Sequence, residues 1–477
     1  MSVKHRLDSW VKKFFTQKMQ HFDVAVIGGG SGAKLGRPVA KLGLTVAYIE
    51  KAKLGGTCLN HGCIPSKMLI HAAEKVCEIE EASKFDIKMD LKFSVEKSKL
   101  VGRVNTSIDE DSSNIKPLLE SQTGLRLFQA SCKFVGPKML HVGDEIIQAD
   151  KMFIAVGCRA RIPDIEGLKD TPFMTYKEAL RLKEAPSSMI VIGGGYIAVE
   201  MGFFFSKTGT SVEFLVRSRM LNGEDHDIQD RFESLFKSNN KVSICMPTRV
   251  RYDPTQKLFT VTVNENGEIV QKFSESLLVA TGVIPNTDTL DLEKAGIQTD
   301  ANGFITVNSK LETNVDGCWA FGDVIGRNLF KHTANYEGEY LFDNIFGNSG
   351  QQDRILEYPP IPHAVFSSPQ IGAVGLTERQ ANVQFGQDLI IGTSDYNETG
   401  MGNAMLDEHG FCKLIFRKST GILVGAHIIG KESSNMIHMC IAFMKFKATI
   451  KDMLDTIYIH PALPEVVRNA VRDANSA

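Results

Sequence analysis

Several features are missing from this 477-residue chain, and each absence removes a class of protein. No uncharged apolar stretch reaches the roughly 20 residues a membrane-spanning helix needs. The most apolar window, residues 189–205, is interrupted by the glycines at 193–195 and by Glu200. Charge of one sign is lacking too. Lys and Arg total 54 against 56 Asp and Glu, a net charge of −2, which argues against a charge-dominated nucleic-acid surface. With 43% hydrophobic and 23% charged residues, the composition is not that of a disordered, collagenous or repeat protein. The nine cysteines are an odd number and too sparse for a disulfide scaffold. Seven of them (Cys77, Cys132, Cys158, Cys245, Cys318, Cys412 and Cys440) stand alone in sequence and read as small buried hydrophobes. What is present is an enzyme-sized chain of roughly three domains, expected in the reducing cytoplasm.

The first 21 residues are basic, with Lys4, Arg6, Lys12, Lys13 and Lys18 against Asp8, and with Trp10, Val11, Phe14 and Phe15 between them. They contain no apolar core of signal-peptide length and no small-residue cleavage site. Residues 1–20 are therefore expected to be an extension, with an amphipathic surface helix as the alternative.

Beyond this extension a pattern begins. Residues 22–27 form a short β-branched run, a buried parallel strand, which ends in Gly28-Gly29-Gly30-Ser31-Gly32-Ala33. That turn fits G-x-G-x-x-G/A. A helix should follow, with opening turns made irregular by Gly36 and Pro38. The next strand, 46–50, ends in Glu50. Strand, glycine turn, helix, strand and acid together make the dinucleotide-binding fingerprint: the glycines admit a pyrophosphate to backbone N–H groups, and the acid takes a ribose hydroxyl. The unit recurs with strand 188–192, turn Gly193-Gly194-Gly195-Tyr196-Ile197-Ala198 and strand 212–216. Here Val216 stands where the acid would be, and Arg217 and Arg219 follow. Loss of the carboxylate and gain of guanidinium groups suit a 2′-phosphate, so NADP(H) is expected ahead of NAD(H).

A second internal echo brackets the second fingerprint. Ile154-Ala155-Val156-Gly157 and Val279-Ala280-Thr281-Gly282 are each an apolar strand ending in glycine, followed by Pro163 and Pro285. They are the natural crossings of an inserted domain. Residues 318–323 form another strand with a Gly-Asp turn. From residue 359 onward strands (413–416, 423–429) and helices (433–445, 450–456) read as a separate α+β domain. The expected fold class is α/β, with two Rossmann-like, doubly wound nucleotide-binding domains and a C-terminal α+β domain.

The chemistry centres on Gly55-Gly56-Thr57-Cys58-Leu59-Asn60-His61-Gly62-Cys63-Ile64-Pro65-Ser66-Lys67. C-x4-C is not zinc-ribbon spacing, and no second pair lies nearby. At the start of a helix the two sulfurs could approach disulfide distance, and the helix N-terminus would favour thiolate. Lys67, four residues after Cys63, shares a helical face with it. His61 is expected to face solvent, and the run from Met201 to Phe205 to be helix packing rather than a cofactor surface.

This redox segment, the two fingerprints, Ala320-Phe321-Gly322-Asp323 and His460-Pro461-Ala462-Leu463-Pro464-Glu465 resemble the FAD-dependent pyridine nucleotide-disulfide oxidoreductases. The resemblance runs from residue 20 onward. The Arg217 segment, Lys331-His332-Thr333-Ala334-Asn335 and residues 460–467 are most similar to mycothione reductase; dihydrolipoamide dehydrogenase, glutathione reductase and mercuric reductase belong to the same group. The resemblance implies an FAD site at Gly28, Gly30, Ser31, Ala33, Glu50, Lys51, Gly56, Thr57, Lys67, Gly157, Asp323 and Ala334. It implies an NAD(P) site at Gly193, Gly195, Tyr196, Ile197, Glu200, Arg217, Arg219 and Gly282. Cys58 and Cys63 would be the redox disulfide, with Cys63 nearer the flavin and Cys58 exchanging with substrate. Lys67 would pair with Glu200, though Glu200 could be a simple helix-face carboxylate. Glu465 would orient His460, which would serve the neighbouring subunit of a homodimer as acid and base. The implied domains are FAD-binding at 21–158 and 288–352, NAD(P)H-binding at 159–287 and dimerisation at 353–477.

Departures from the pattern bear on the substrate. Val156 replaces threonine in the first of the family's Ala-x-Gly motifs, Val283 replaces the arginine that often follows the second, and Asn222 and Gly223 stand near where another arginine often supports NADPH. The lack of an N-terminal metal-binding domain and of cysteine after Cys440 disfavours typical mercuric and thioredoxin reductases. The expected activity is reduction of a small-molecule disulfide by NADPH, with no metal, membrane or nucleic-acid partner. Dihydrolipoamide dehydrogenase within a 2-oxo acid dehydrogenase complex is the enzyme alternative, and a mainly structural flavoprotein subunit is the alternative of another class.

Overall fold

The structure, a computed structural model, describes residues 19–88, 90, 93–347 and 354–476. The basic segment at residues 1–18 and the boundary expected at residue 352 lie outside the described residues. The chain divides into two compact units. One gathers Met1–Pro65, Asn105–Arg161 and Val283–Glu357; the other gathers Ser66–Val104, Ile162–Gly282 and Tyr358–Ala477.

In the first unit seven strands form one sheet, in the order Leu125–Phe128, Val46–Ile49, Gln20–Ile27, Glu145–Ile154, Met139–Val142 and Cys132–Gly136, with Cys318–Ala320 also paired to Glu145–Ile154. The first strand begins at Gln20, two residues before the apolar run, because ladder pairing with Ile147 and Gln148 extends it. Val24, Ala25 and Val26 are fully buried, as an unbroken apolar strand covered on both faces must be. Register then decides the function. Ile27 is level with both Ile49 and Ile154, Ile49 with Phe128, and Ile154 with Ala320. The turns after these parallel strands therefore leave the sheet at one carboxyl edge, where ligands of doubly wound sheets bind.

The second unit repeats the device on a smaller scale. Lys241–Ile244, Ser211–Val216, Ser188–Ile192 and Ser276–Val279 form an all-parallel sheet. Ile192 is level with Leu215 and Val279, so Gly193, Val216 and Ala280 lie at one edge. A three-stranded antiparallel sheet (Pro247–Asp253, Leu258–Glu265, Glu268–Ser274) shares a core with it through Val250, Phe259, Val261 and Val263. This unit's five-stranded sheet is antiparallel throughout, in the order Pro362–Val365, Ile371–Gly375, Leu423–Ile429, Phe411–Arg417 and Leu389–Asp395.

Helix Glu465–Ser476 buries Val466, Val467, Ala470, Val471 and Ala474, the spacing of one helical face, in the core of that sheet. Each buried valine contributes about 1.5–3 kcal/mol. A charged joint ties this sheet to helix His226–Asn239: the fully buried Lys413 Nζ donates to Asp225 at 2.8 Å, Asp227 at 2.5 Å and Glu378 at 2.6 Å. Burial alone would lower the Lys413 pKa, but these three carboxylates raise it above the ordinary lysine range.

The fold is α/β with Rossmann-like sheets and a C-terminal α+β region. The seven solitary cysteines are all buried. Met201, Phe203, Phe204 and Phe205 are buried within helix Tyr196–Lys207, as the packing interpretation expects. Among the described residues no helix is long and apolar enough to cross a membrane.

Candidate active site

At the carboxyl edge of the first sheet, Gly28 has φ +107°, and a Cβ there would lie 2.3 Å from the Ala155 carbonyl oxygen. Only glycine lets the turn pass that close. Ser31–Lys34 then forms a 3-10 turn before the short helix Gly36–Ala40, the irregular opening expected from Gly36 and Pro38. Glu50 closes the turn: its carboxylate accepts from Gly29 N at 2.7 Å and from Ala52 N at 2.8 Å. Ser31 donates to Asn335 Oδ1 at 3.2 Å, and Lys331 Nζ donates to Ser31 Oγ at 3.0 Å. Gly157, at φ +65°, has nothing within 4 Å of the place its Cβ would take. Asp323 lies in the 3-10 turn Gly322–Ile325; burial pushes its carboxyl up, and Lys331 pulls the other way. Ala334 is buried, while Ala33, Lys51 and Thr57 are exposed. Open backbone beside Gly157, the glycine turn and the half-buried Asp323 carboxylate fit a dinucleotide such as FAD.

The redox loop meets this turn directly, since a Cβ on Gly56 would lie 2.5 Å from Gly30 Cα. Gly55, at φ +99°, precedes helix Gly56–His61, which carries the half-buried Cys58; the exposed Cys63 opens helix Cys63–Glu81. Buried Asn60 fixes the loop by donating to Leu54 O at 2.8 Å and Gly56 O at 3.0 Å, and Ser112 donates to Leu54 O at 2.7 Å. Neither residue was singled out from the sequence, because side-chain-to-backbone ties leave no spacing signature. His61 departs from expectation. It is half-buried, with Nδ1 shielded from solvent.

The second unit holds the second cradle. Gly193 has φ +133° and its Cβ would lie 2.2 Å from the Ala280 carbonyl oxygen. Gly195 and Gly282 have open space at their Cβ positions, so bare backbone stands at the N-terminus of the 12-residue helix Tyr196–Lys207. That fits a pyrophosphate. Ile197 is half-buried in the first turn of that helix. Val216 is buried and Arg217 exposed. Arg219, the other expected phosphate ligand, is already paired with Asp230 at 2.6 Å and Glu233 at 3.3 Å. Tyr196 donates to Glu224 Oε1 at 2.9 Å, His363 Nε2 stands 3.0 Å from the same oxygen, and the two rings stack with centroids 5.9 Å apart. Glu224 and His363 were invisible in sequence, being 139 positions apart.

The same unit brings Lys67 and Glu200 together at 2.6 Å. Glu200 also accepts from Phe366 N at 3.2 Å, and the Lys67 ammonium lies 4.6 Å from the Phe366 ring centroid. Burial pushes the Glu200 carboxyl up, opposed by Lys67 and the Phe366 N–H. At the C-terminal end, His460 Nδ1 stands 3.0 and 3.1 Å from the two Glu465 oxygens, and the His460 side chain is 74% exposed. Glu465 is held by Ala462 N at 3.1 Å and Arg468 at 2.8 Å; its hydrogen bond to His460 lowers its pKa against the opposing effect of burial. An exposed imidazole fixed at Nδ1 by a carboxylate is equipped to move a proton at Nε2.

Comparison with known proteins agrees with this chemistry. Residues 22–338 match the family model described as pyridine nucleotide-disulphide oxidoreductase, and residues 361–471 match its dimerisation domain. The chain is 32% identical to dihydrolipoyl dehydrogenase of Halobacterium salinarum over 466 residues, covering 95% of this chain and 96% of that protein. It is 34% identical to mycothione reductase of Mycobacterium tuberculosis over 468 residues, covering 95% and 99%. The solved structure of the HOCl-induced flavoprotein disulfide reductase RclA from Escherichia coli superposes with a TM-score of 0.82 at 26% identity, covering 94% of this chain and 99% of that one. The chain belongs to the pyridine nucleotide-disulphide oxidoreductases, FAD- and pyridine-nucleotide-dependent enzymes, and carries that family's dimerisation domain.

Proposed function

We propose that the protein reduces a low-molecular-weight disulfide with NADPH, in the manner its mycothione reductase relatives suggest. The observation that carries the choice of nucleotide is the second cradle, where Val216 occupies the acid position and the exposed Arg217 follows. FAD, when bound, relays the electron pair of the nicotinamide hydride to the Cys58–Cys63 disulfide. Gly28, Gly30, Ser31, Ala33 and Glu50 would hold its adenosine and pyrophosphate, and Asp323 its ribityl chain; Lys51, Gly56, Thr57, Gly157 and Ala334 would line the same site. Gly193, Gly195, Tyr196, Ile197 and Gly282 would hold the nicotinamide nucleotide, and the Lys67–Glu200 pair would sit beside the flavin.

Reduction leaves two cysteine sulfurs, Cys63 toward the flavin and Cys58 toward substrate. The Cys58 thiolate attacks one substrate sulfur, forming a mixed disulfide and expelling one thiolate, which His460 of the partner subunit protonates. Cys63 then attacks Cys58, expelling the second thiolate, which takes its proton from solvent, and restoring the intramolecular disulfide. Glu465 holds the imidazole for this proton traffic.

We assign residues 21–158 and 288–352 to FAD, 159–287 to the nicotinamide nucleotide and 353–477 to the dimer. Seven buried free thiols suit a reducing compartment such as the cytoplasm.

One observation favours a second reading, NAD-dependent dihydrolipoamide dehydrogenase: Arg219 is committed to Asp230 and Glu233, leaving Arg217 alone to meet a 2′-phosphate. Steady-state kinetics decides between them by crossing NADPH and NADH with mycothiol disulfide, glutathione disulfide and lipoamide. Higher kcat/KM with NADPH and a small disulfide is the expected result; preference for NADH with lipoamide overturns it.

A further inference from the structure

Two residues beside the second cradle, Glu224 and His363, have no part in the roles above. Tyr196 opens helix Tyr196–Lys207, and side chains on a helix lean toward its N-terminus, here the open backbone at Gly195. The Tyr196 hydroxyl is committed, because it donates to Glu224 Oε1 at 2.9 Å; what the residue can offer a ligand in the seat is its ring. Burial and the Glu224 carboxylate both push the phenol's pKa up, which keeps it a donor. The Glu224 side chain is fully buried, and an ionised carboxylate only accepts, so His363 Nε2, 3.0 and 3.1 Å from its two oxygens, is a second donor. The His363 ring also stacks on that of Tyr196, 20° from parallel with centroids 5.9 Å apart.

The five-stranded sheet holds this cluster in place. Its pairing sets His363 opposite Ala373, Ala373 opposite His427 and His427 opposite Lys413, one row across one face. His363 meets Glu224, and Lys413, further along the row, meets Asp225 at 2.8 Å. Two consecutive carboxylates are gripped from two strands of one sheet, which fixes the acceptor beneath the Tyr196 hydroxyl.

We propose that His363 is a positioning residue for nucleotide binding: with Glu224 it clamps the Tyr196 ring as a fixed wall of the second cradle, in place before the ligand arrives. The inference rests on reading that cradle as the nicotinamide nucleotide's site. A side chain ordered in advance spares binding the cost of ordering it, so the clamp acts on affinity rather than on the thiol chemistry.

The test is isothermal titration calorimetry of the oxidised, FAD-loaded full chain with NADP+ and, separately, NAD+, neither of which can reduce the flavin. The wild type should bind at least one; if it binds neither, the reading of the cradle falls and the proposal with it. His363→Ala should raise the Kd of the tighter ligand about fivefold, and His363→Phe, which keeps the stacked ring and drops the bond to Glu224, about twofold. Tyr196→Ala should weaken binding by about as much as His363→Ala, and adding His363→Ala to it should change nothing further, because His363 reaches the ligand only through the Tyr196 ring. An unmoved Kd in a folded, flavin-containing His363→Ala protein overturns the proposal. An equal loss with and without the Tyr196 ring overturns it too, since a merely structural role would act in both backgrounds. Should His363→Ala fail to fold, the same two comparisons made with His363→Phe decide instead.

Discussion

The molecule carries two glycine cradles built to one plan and finished differently. In each, the first glycine of the turn has a positive φ and passes within contact of an alanine carbonyl, Ala155 for Gly28 and Ala280 for Gly193. In each, that alanine's own N–H donates to the last strand residue before the turn, Ile27 or Ile192, at 2.8 or 2.9 Å. What differs is the next strand's end. Glu50 places a carboxylate on Gly29 N, whereas the Val216 side chain packs 2.8 Å from where a Gly194 Cβ would be. The shared backbone suits a pyrophosphate seat, and in the proposed function the side chain at the next strand's end is what would select the adenosine ribose beside it. The surroundings differ too. The first cradle is crossed by Lys331 and Ser31, the second by the buried Glu224 with Tyr196 and His363.

The most damaging way to test this likeness is to put a Cβ into each turn. Gly28→Ala should cost at least about 3 kcal/mol, because a backbone clash adds to left-handed strain, and the purified protein should lack flavin. Gly193→Ala should remain yellow yet lose reduction by NADPH, as measured by anaerobic bleaching of the flavin band. Loss of flavin in both variants would mean the cradles are not independent.

A pH dependence of stability should arise beside the second cradle. Lys97 is buried against its helix, with Nζ 4.1 Å from the Phe205 ring centroid, 5.4 Å from that of Phe204 and 3.5 Å from Thr210 Oγ1. Unlike Lys413, which has three carboxylates, it has aromatic faces and a hydroxyl, and burial lowers its pKa from 10.5 to about 8. The folded state therefore disfavours the ammonium. Below pH 8 the penalty is fully present; it is relieved as pH rises from 8 to 10.5, where the unfolded chain binds more protons than the folded one. The full effect is at most about 3 kcal/mol. Lys97→Met should raise the Tm at pH 7 and flatten this rise, as followed by thermal unfolding across that range.

Exchanging the distinguishing side chain should have a smaller effect. Val216→Glu combined with Arg217→Ala should lower the NADPH-to-NADH ratio of kcat/KM about tenfold, the worth of one charge-assisted contact. An unchanged NADPH efficiency would reduce Arg217 to a surface charge. The smallest change is expected from Arg219→Ala. It is already held by Asp230 and Glu233, and the KM for NADPH should stay within about twofold.

The sequence by itself determined whatever depends on neighbours along the chain. Glycine at Gly28 and Gly193, the apolar runs before them, the spacing to Glu50 and the Cys58-to-Cys63 segment are local patterns, because backbone φ, strand burial and helix-terminus geometry are settled within a few residues. The His460–Glu465 pair and the Lys67–Glu200 pair, the latter 133 positions apart, were legible only through family resemblance. The three-stranded sheet at 247–274, the Lys413 joint, the Tyr196–Glu224–His363 cluster and the Lys331–Ser31 tether, spanning 300 positions, came from the tertiary structure alone. A carboxylate such as Glu224 reads in sequence like any surface acid. Only the packing of distant strands removes its water and supplies its partners, and that desolvation turns an ordinary side chain into a structural or chemical one.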